Sequence, residues 1–434
     1  MSLSTQPYKG ARDFYPEDKL LQNYLFETFR SVAEQFGYEQ YDAPILENIE
    51  LFKAKSGEEI VNEQTYSFTD RGDREVVIRP EMTPSVSRMV AGKRQELGYP
   101  LRWYSIPVLW RYERPQRGRL REHWQLNVDI FGVSDNSAEH ELILLANTIM
   151  KKFGASNSMY SFKVNHRGLM NHIFDSYLGL SAEQSHDISK LIDKMHKIPP
   201  EDFKNGVQAA LNPEQRAEKI DDKLIELLRA KDISQLPEEI ASSKPAKELA
   251  DLLTKLSDSS ISNVEFDISI MRGFDYYTGI VFEMSDTDPE NPRSIMGGGR
   301  YDGLVGLFGV EPVATVGFGW GDVTLSDFLT THNLLPKVQS KTDVYAILIG
   351  DVYGNSQKLI SKLREEGINI AVDNSDKKLP SKIKNALKKN VKYAMFIGQE
   401  ELDSNTYNLK NLLTEQEERL SPERIVSTIL GDKQ

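Results

Sequence analysis

Arg111, Glu113, Arg114, Arg117, Arg119 and Arg121 crowd one short segment of WRYERPQRGRLREHWQLNVDIFG, residues 110–132, with Pro115 and Gly118 between them. Beyond them the pattern changes to strict alternation. Trp124, Leu126, Val128 and Ile130 take one parity, Gln125, Asn127 and Asp129 the other. A period of two predicts a strand with one buried face. A strand fed by an arginine-rich loop sets three polar side chains beside guanidinium forks. That is a floor for a polar small molecule held next to phosphates, because the planar fork matches phosphate oxygens. The same residues also describe a charged surface hairpin over a half-buried strand, since polar outer faces are ordinary in antiparallel sheets. Spacing leaves both readings open. Gln125 and Asp129, four apart, share a face in either case.

The wording of the segment goes further than its spacing. Arg111-Tyr112-Glu113-Arg114-Pro115-Gln116 resembles motif 2 of class II aminoacyl-tRNA synthetases, in the version carried by histidyl-tRNA synthetases. Ile78-Arg79-Pro80-Glu81-Met82-Thr83 is similar to that family's amino-acid-binding Arg-Pro-Glu-x-Thr. Arg272-Gly273-Phe274-Asp275-Tyr276-Tyr277-Thr278-Gly279 resembles its histidine-specific signature, and Gly297-Gly298-Gly299-Arg300-Tyr301-Asp302 the companion motif. Lys9-Gly10-Ala11-Arg12-Asp13 matches the family's opening, so the resemblance covers nearly the whole chain.

The resemblance implies a two-step ligase. Histidine attacks the α-phosphate of ATP, with Mg2+, to give histidyl-adenylate and pyrophosphate; the 3′ end of histidine tRNA then takes the histidyl group. It implies Arg111 and Arg272 as the electrostatic catalysts, both near the amino-acid carboxylate and the α-phosphate. Glu113 would meet the adenine end of ATP, with Arg119 and Arg121 toward the outer phosphates. Glu81, Thr83 and Gln125 would accept the α-amino group. Asp129 and Tyr277 would take the two imidazole nitrogens, with Tyr276 beside them, one nitrogen donating and one accepting in the neutral tautomer. Relatives carry Glu where Asp129 stands, so about one methylene of reach must be made up. Arg114 and Gln116 would read the acceptor end of the tRNA. A homodimer is expected, Tyr41-Asp42-Ala43-Pro44 loosely fitting the class's dimer-forming motif.

One departure stands out. Relatives end a glycine-rich strand in Glu-Arg, whereas this chain reads Val316-Gly317-Phe318-Gly319-Trp320-Gly321-Asp322-Val323-Thr324-Leu325 and has no Lys or Arg from Tyr301 to Pro336. Losing a preorganised phosphate donor costs about 3 kcal/mol. Either Arg119, Arg121 or Arg300 substitutes for it, or the chain is a non-catalytic histidine-sensing or tRNA-binding paralogue. Asp322 or Thr324 could then serve only to cap the following helix.

The remaining sequence sets bounds. With 434 residues, two or three domains are expected. No apolar run approaches the ~20 residues of a membrane span, and MSLSTQPYKGARDF lacks a signal-peptide core, so a cytoplasmic, membrane-free protein is expected. Cysteine is absent and the histidines show no metal-ligand spacing, so neither disulfide nor structural zinc is expected. A net charge of −12 argues weakly against nucleic acid, but Lys377, Lys378, Lys382, Lys384, Lys388, Lys389 and Lys392 crowd one segment, as a phosphate-tracking patch or a solvated face.

The expected architecture is an α+β class II catalytic domain, an antiparallel sheet flanked by helices, over residues 1–330. A helical insertion, which the resemblance places on the tRNA acceptor arm, occupies residues 168–262. A linker at 331–342 leads to an α/β domain at 343–434 resembling the class's anticodon-binding domain. Helical periodicity runs from Glu17 to Phe36 and from Glu139 to Phe153, and Leu101–Arg111 reads as a central strand. In the last domain, Val344–Ile349, Ile368–Val372 and Tyr393–Ile397 read as strands and Lys358–Glu366 and Lys382–Lys389 as helices, which predicts parallel pairings.

Overall fold

The computed structural model describes residues 3–53, 64–195, 197–271, 276–291 and 293–432. The chain divides into a unit of Met1–Asp13 with Tyr24–Leu335 and a unit of Phe14–Asn23 with Pro336–Gln434. No helix among the described residues is long and apolar enough to cross a membrane.

The larger unit is built on a nine-stranded sheet. Its strands are β1 (Glu39–Gln40), β2 (Leu101–Ser105), β3 (Val108–Trp110), β4 (Glu122–Phe131), β5 (Tyr160–His166), β6 (Val264–Phe266), β7 (Ile280–Asp286), β8 (Ser294–Arg300) and β9 (Thr315–Gly321). The order is β1-β2-β4-β9-β8-β7-β5-β6, with β3 pairing β4 off this path. Only the outermost pairs, β1 with β2 and β5 with β6, are parallel. A smaller antiparallel sheet joins Leu46–Asn48, Glu75–Ile78 and Tyr66–Thr69.

Helices cover one face. The first helix, α1 (Pro16–Gln35), contributes Leu25, Phe29, Val32 and Ala33 to the core, and Gly37, at φ +79°, ends it in a backbone conformation that side chains resist. Helix α2 (Thr83–Gly92) covers a second cluster with Val86 and Val90. Helix α3 (Ser137–Lys152) presents Leu142, Ile143, Ala146 and Ile149 to Leu126, Val128 and Ile130 of β4 and to Val316, Phe318 and Trp320 of β9. Between α3 and the signature motif, a run of helices from Arg167 to Asp258 holds no strand among the described residues. Its Ile188, Ile192, Phe203, Val207 and Leu224 belong to the same cluster as the sheet's core, so the insertion is packed into the larger unit's core. Helix α4 (Asp322–Thr331) follows β9 directly.

One expectation needs correction and one needs extending. Leu101–Arg111 is two strands broken at Ile106-Pro107, because proline cannot donate to a ladder, and β2 lies one strand from the sheet's edge rather than at its centre. In the smaller unit β10 (Val344–Leu348) does lie parallel between β11 (Ile370–Asp373) and β12 (Tyr393–Ile397). Two further strands, β13 (Tyr407–Asn411) and β14 (Glu417–Leu420), extend that sheet antiparallel. The charged, exposed β14 carries no apolar alternation to announce it. In the lysine-rich segment, Lys382 is buried and donates to the Leu348 carbonyl at 2.8 Å, and Lys392 pairs with Asp432.

Arg300 is committed to this framework. Its guanidinium holds Glu139 of α3 through two 2.7 Å bonds and donates to the Val133 and Asp135 carbonyls at 2.9 and 2.8 Å. It is therefore not a substitute phosphate ligand. Removing one member of a buried pair strands the other, at about 3–5 kcal/mol. Arg300→Met should lower unfolding free energy by that amount in urea titrations; a wild-type midpoint would contradict the assignment.

Candidate active site

The exposed face of β4 and β9 is made by two complementary sequences. On β9, Val316, Phe318 and Trp320 face the helices, which leaves Gly317, Gly319 and Gly321 on the other side. They pair across the ladder with Asp129, Asn127 and Gln125. A Cβ at Gly317 would lie 2.0 Å from Asp129 Oδ1, and one at Gly319 2.7 Å from the Gln125 amide carbon. The glycines thus clear the volume that the polar residues of β4 occupy. The outer face of β4 is not a solvated surface: Asn127 and Asp129 are both buried. It floors a cleft of about 1140 Å3, larger than most small-molecule pockets.

Glu81, Thr83, Arg111, Glu113, Arg119, Gln125, Tyr276 and Tyr277 all line this cleft. The Tyr276 hydroxyl donates to Glu81 at 3.2 Å, and the Tyr276 and Tyr277 rings pack tilted at 58° with centroids 4.8 Å apart. Arg111 donates from Nε to the Pro80 carbonyl at 2.9 Å, and no carboxylate pairs with it among the described residues. Burial pulls its guanidinium below the usual value, partly offset by the nearby Glu81 carboxylate. His123, facing the same space, is pushed down to about 3, by burial first and then by Arg111, Arg12 and Arg119. It stays neutral and adds no cation.

Asp129 lies one layer below. Its carboxylate accepts a short hydrogen bond from Tyr301, which does line the cleft, and lies 3.4 Å from the Tyr41 hydroxyl. The Tyr301 hydroxyl thus stands between the Asp129 carboxylate and the cleft. Burial raises Asp129 to about 7 despite both hydroxyls. In the sequence Tyr301 stands only within a motif and Tyr41 only within the loosely fitting dimer motif, neither with a role in the site, and His123 gives no signal.

The arginine-rich loop is a hairpin closed by Gln116 and Arg119, turning at Gly118 with φ +71°. Glu113 and Arg119 form a close ion pair inside the cleft. Arg114, Gln116 and Arg117 are exposed on the hairpin. Arg121 is not brought into the cleft. It stacks on Tyr112 at 4.1 Å and donates to the Glu113 carbonyl, fixing the hairpin's base. The opening segment braces the same hairpin, since Arg121 and Glu122 donate to the Gly10 carbonyl and Arg12 pairs with Asp322 at 2.7 Å. Neither Asp322 nor Thr324 caps α4; Asp322 accepts from Arg12 and Trp124, and the Thr324 hydroxyl donates to the Ile295 carbonyl at 3.0 Å. Arg272, with Gly273, Phe274 and Asp275, lies outside the described residues.

Asp129 gives this site a pH signature. An unfolded aspartate ionises near about 4, while the folded one holds its proton to about 7. Between those values the folded state binds the extra proton, so this residue's contribution to stability falls as pH rises through the window, by about 4 kcal/mol in all. The stability difference between wild type and Asp129→Asn, measured by urea unfolding from pH 4 to 8, should shift against the wild type as pH rises. A flat difference would contradict the burial argument.

A family model described as histidyl-tRNA synthetase matches residues 10–320, and one described as anticodon binding domain matches residues 343–431. The histidine–tRNA ligase of Leptospira biflexa is 45% identical over 417 residues, covering 94% of each chain. That of Thermoplasma volcanium is 39% identical over 411 residues, covering 94% of this chain and 95% of its own. Among solved structures, the histidyl-tRNA synthetase of Nostoc sp. PCC 7120 superposes with a TM-score of 0.82 at 21% identity, covering 99% of this chain and all of that one, a likeness of fold.

Proposed function

The chain belongs to the histidyl-tRNA synthetase family, and from that membership we propose that it is a histidine–tRNA ligase, joining L-histidine to the 3′ end of histidine tRNA at the expense of ATP. The observation that carries the reading is Arg111: a guanidinium deep in the cleft, without a carboxylate partner among the described residues, beside Glu81 and above a floor of glycine and polar side chains. Such a group is poised for substrate anions.

In the first step a carboxylate oxygen of histidine attacks the α-phosphorus of ATP. The bond from that phosphorus to the bridging oxygen breaks, and pyrophosphate leaves. Two anionic reactants must be held in line and the developing charge offset. Arg111 does this, together with Arg272. Glu81, Thr83 and Gln125 receive the α-amino group. Tyr277, and Asp129 acting through Tyr301, receive the imidazole. Glu113 faces the adenine, with Arg119 held by it toward the phosphates. Magnesium would enter as part of the MgATP substrate, offsetting phosphate charge.

In the second step a hydroxyl of the tRNA's terminal adenosine attacks the histidyl carbonyl and AMP leaves. We assign Arg114 and Gln116, exposed on the hairpin, to the acceptor end. The 343–431 segment, with its exposed Lys377, Lys378, Lys384, Lys388 and Lys389, is assigned to the anticodon arm. We assign the enzyme to the cytoplasm, as a homodimer, with residues 168–262 as the insertion and 331–342 as the linker. A purely histidine-sensing or adaptor role has no specific observation in its favour.

The test is histidine-dependent exchange of pyrophosphate into ATP. The wild type should support it, and Arg111→Ala should reduce it by about 100- to 1000-fold, as for loss of one preorganised donor. Absence of exchange in folded wild type would overturn the reading.

A further inference from the structure

Thr324 leaves the α4 end of the cleft without a charge of its own, yet one cation stands beside it. Arg293 precedes β8 and lines the cleft with Gly118, Arg119, Gly321 and Thr324. The Thr324 hydroxyl is bonded to the carbonyl of Ile295, two residues along, so Arg293 lies within at most about 7 Å of chain from that anchor. Its stem packs on the tip of the arginine-rich hairpin: a Cβ on Gly118 would sit 2.8 Å from Arg293 Cδ. The hairpin tip thus meets this side chain, with the Asp327 carboxylate of α4 3.6 Å from the same Cβ position.

The charge inventory isolates it further. Of the other basic residues lining the cleft, Arg119 pairs with Glu113 and Lys163 with Asp267 at 3.2 Å. Arg111 is deep, bonded to the Pro80 carbonyl. Lys197 is exposed on a turn of the insertion. Arg293 is half-buried and has no ion-pair partner among the described residues. A guanidinium that makes no ion pair among the described residues, although the Asp327 carboxylate also borders Gly118, is suited to bidentate capture of phosphate oxygens. The N–H groups opening α4, whose Gly321, Val323 and Thr324 face the same space, favour the same ligand.

We infer that Arg293 binds the terminal phosphates of ATP, and hence the departing pyrophosphate, supplying from the β8 side the charge that Thr324 does not. This rests on the ligase reading, but its test does not require turnover. Calorimetric titrations of the full-length protein with ATP, AMP, pyrophosphate and histidine, in magnesium buffer, compare wild type with Arg293→Gln, Arg293→Lys and the double variant Arg293→Gln/Thr324→Arg. Arg293→Gln should weaken ATP and pyrophosphate by about 10- to 100-fold, the range for a hydrogen-bonded charged contact. AMP and histidine should stay within about twofold. Arg293→Lys should fall between, and the double variant should recover ATP affinity. Unchanged ATP and pyrophosphate affinities, or a parallel fall for AMP, would reduce Arg293 to a packing residue and overturn the inference. If Arg293→Gln fails to fold, Arg293→Lys and the double variant decide by the same ATP-to-AMP ratio. Loss of exchange in the wild type would fail the ligase reading alone; the ATP-to-AMP ratio would still judge Arg293.

Discussion

Gly317 and Asp129 face each other across β9 and β4, and the carboxylate occupies the volume that any side chain at Gly317 would need. The rest of the site is arranged around that constraint. Because β9 sets Gly317, Gly319 and Gly321 against β4, that strand can lay a row of polar side chains over them without separating the strands. Because Asp129 is sunk below the floor, it holds the Tyr301 hydroxyl and turns a tyrosine ring toward the ligand space. The opposite faces of the same strands carry Val128, Ile130, Val316, Phe318 and Trp320 into the core, where α3 covers them. One pair of strands therefore serves packing and recognition, and a slip of one residue in register would exchange the two.

Charge is distributed with similar economy. Arginine-rich as the cleft's surroundings are, most of the guanidinium groups are engaged. Arg300 joins β8 to α3, Arg12 ties the opening segment to α4, Arg121 lies on a tyrosine at the hairpin's base, and Arg119 answers Glu113. Among the described arginines lining the cleft, Arg111 in the depth and Arg293 at the hairpin's tip form no ion pair. Burial keeps His123, on the wall of the same cleft, neutral, so it adds no cation near neutral pH.

Much of this was legible in the sequence, and the exceptions have physical causes. The period of two in β4 and the glycine alternation in β9 are local and can be read directly. That they face each other is set by a long-range pairing, which no window of sequence contains. The reading of a solvated polar face failed for the same reason: the cover over Asn127 and Asp129 comes from distant segments. Arg300 looked available because its motif sits among site motifs, whereas its counter-charge, Glu139, lies far off in an amphipathic helix with nothing to mark it. The insertion's helices were evident, but their sharing of one core with the sheet was not, since periodicity reports that a face is buried and not against what. Arg293, in a loop of ordinary composition, became visible only through the residues it touches.

We propose the Asp129–Tyr301 pair, seated over Gly317, as the receptor for the histidine side chain. Calorimetric titration of Gly317→Ala with histidine and with ATP tests it most directly, because the added methyl displaces the carboxylate while leaving every charged group in the chain. Overpacking of about 1–3 kcal/mol is expected at such a contact. The account predicts a folded variant whose histidine affinity falls about tenfold or more while its ATP affinity holds. Wild-type affinity for histidine in that variant would contradict it.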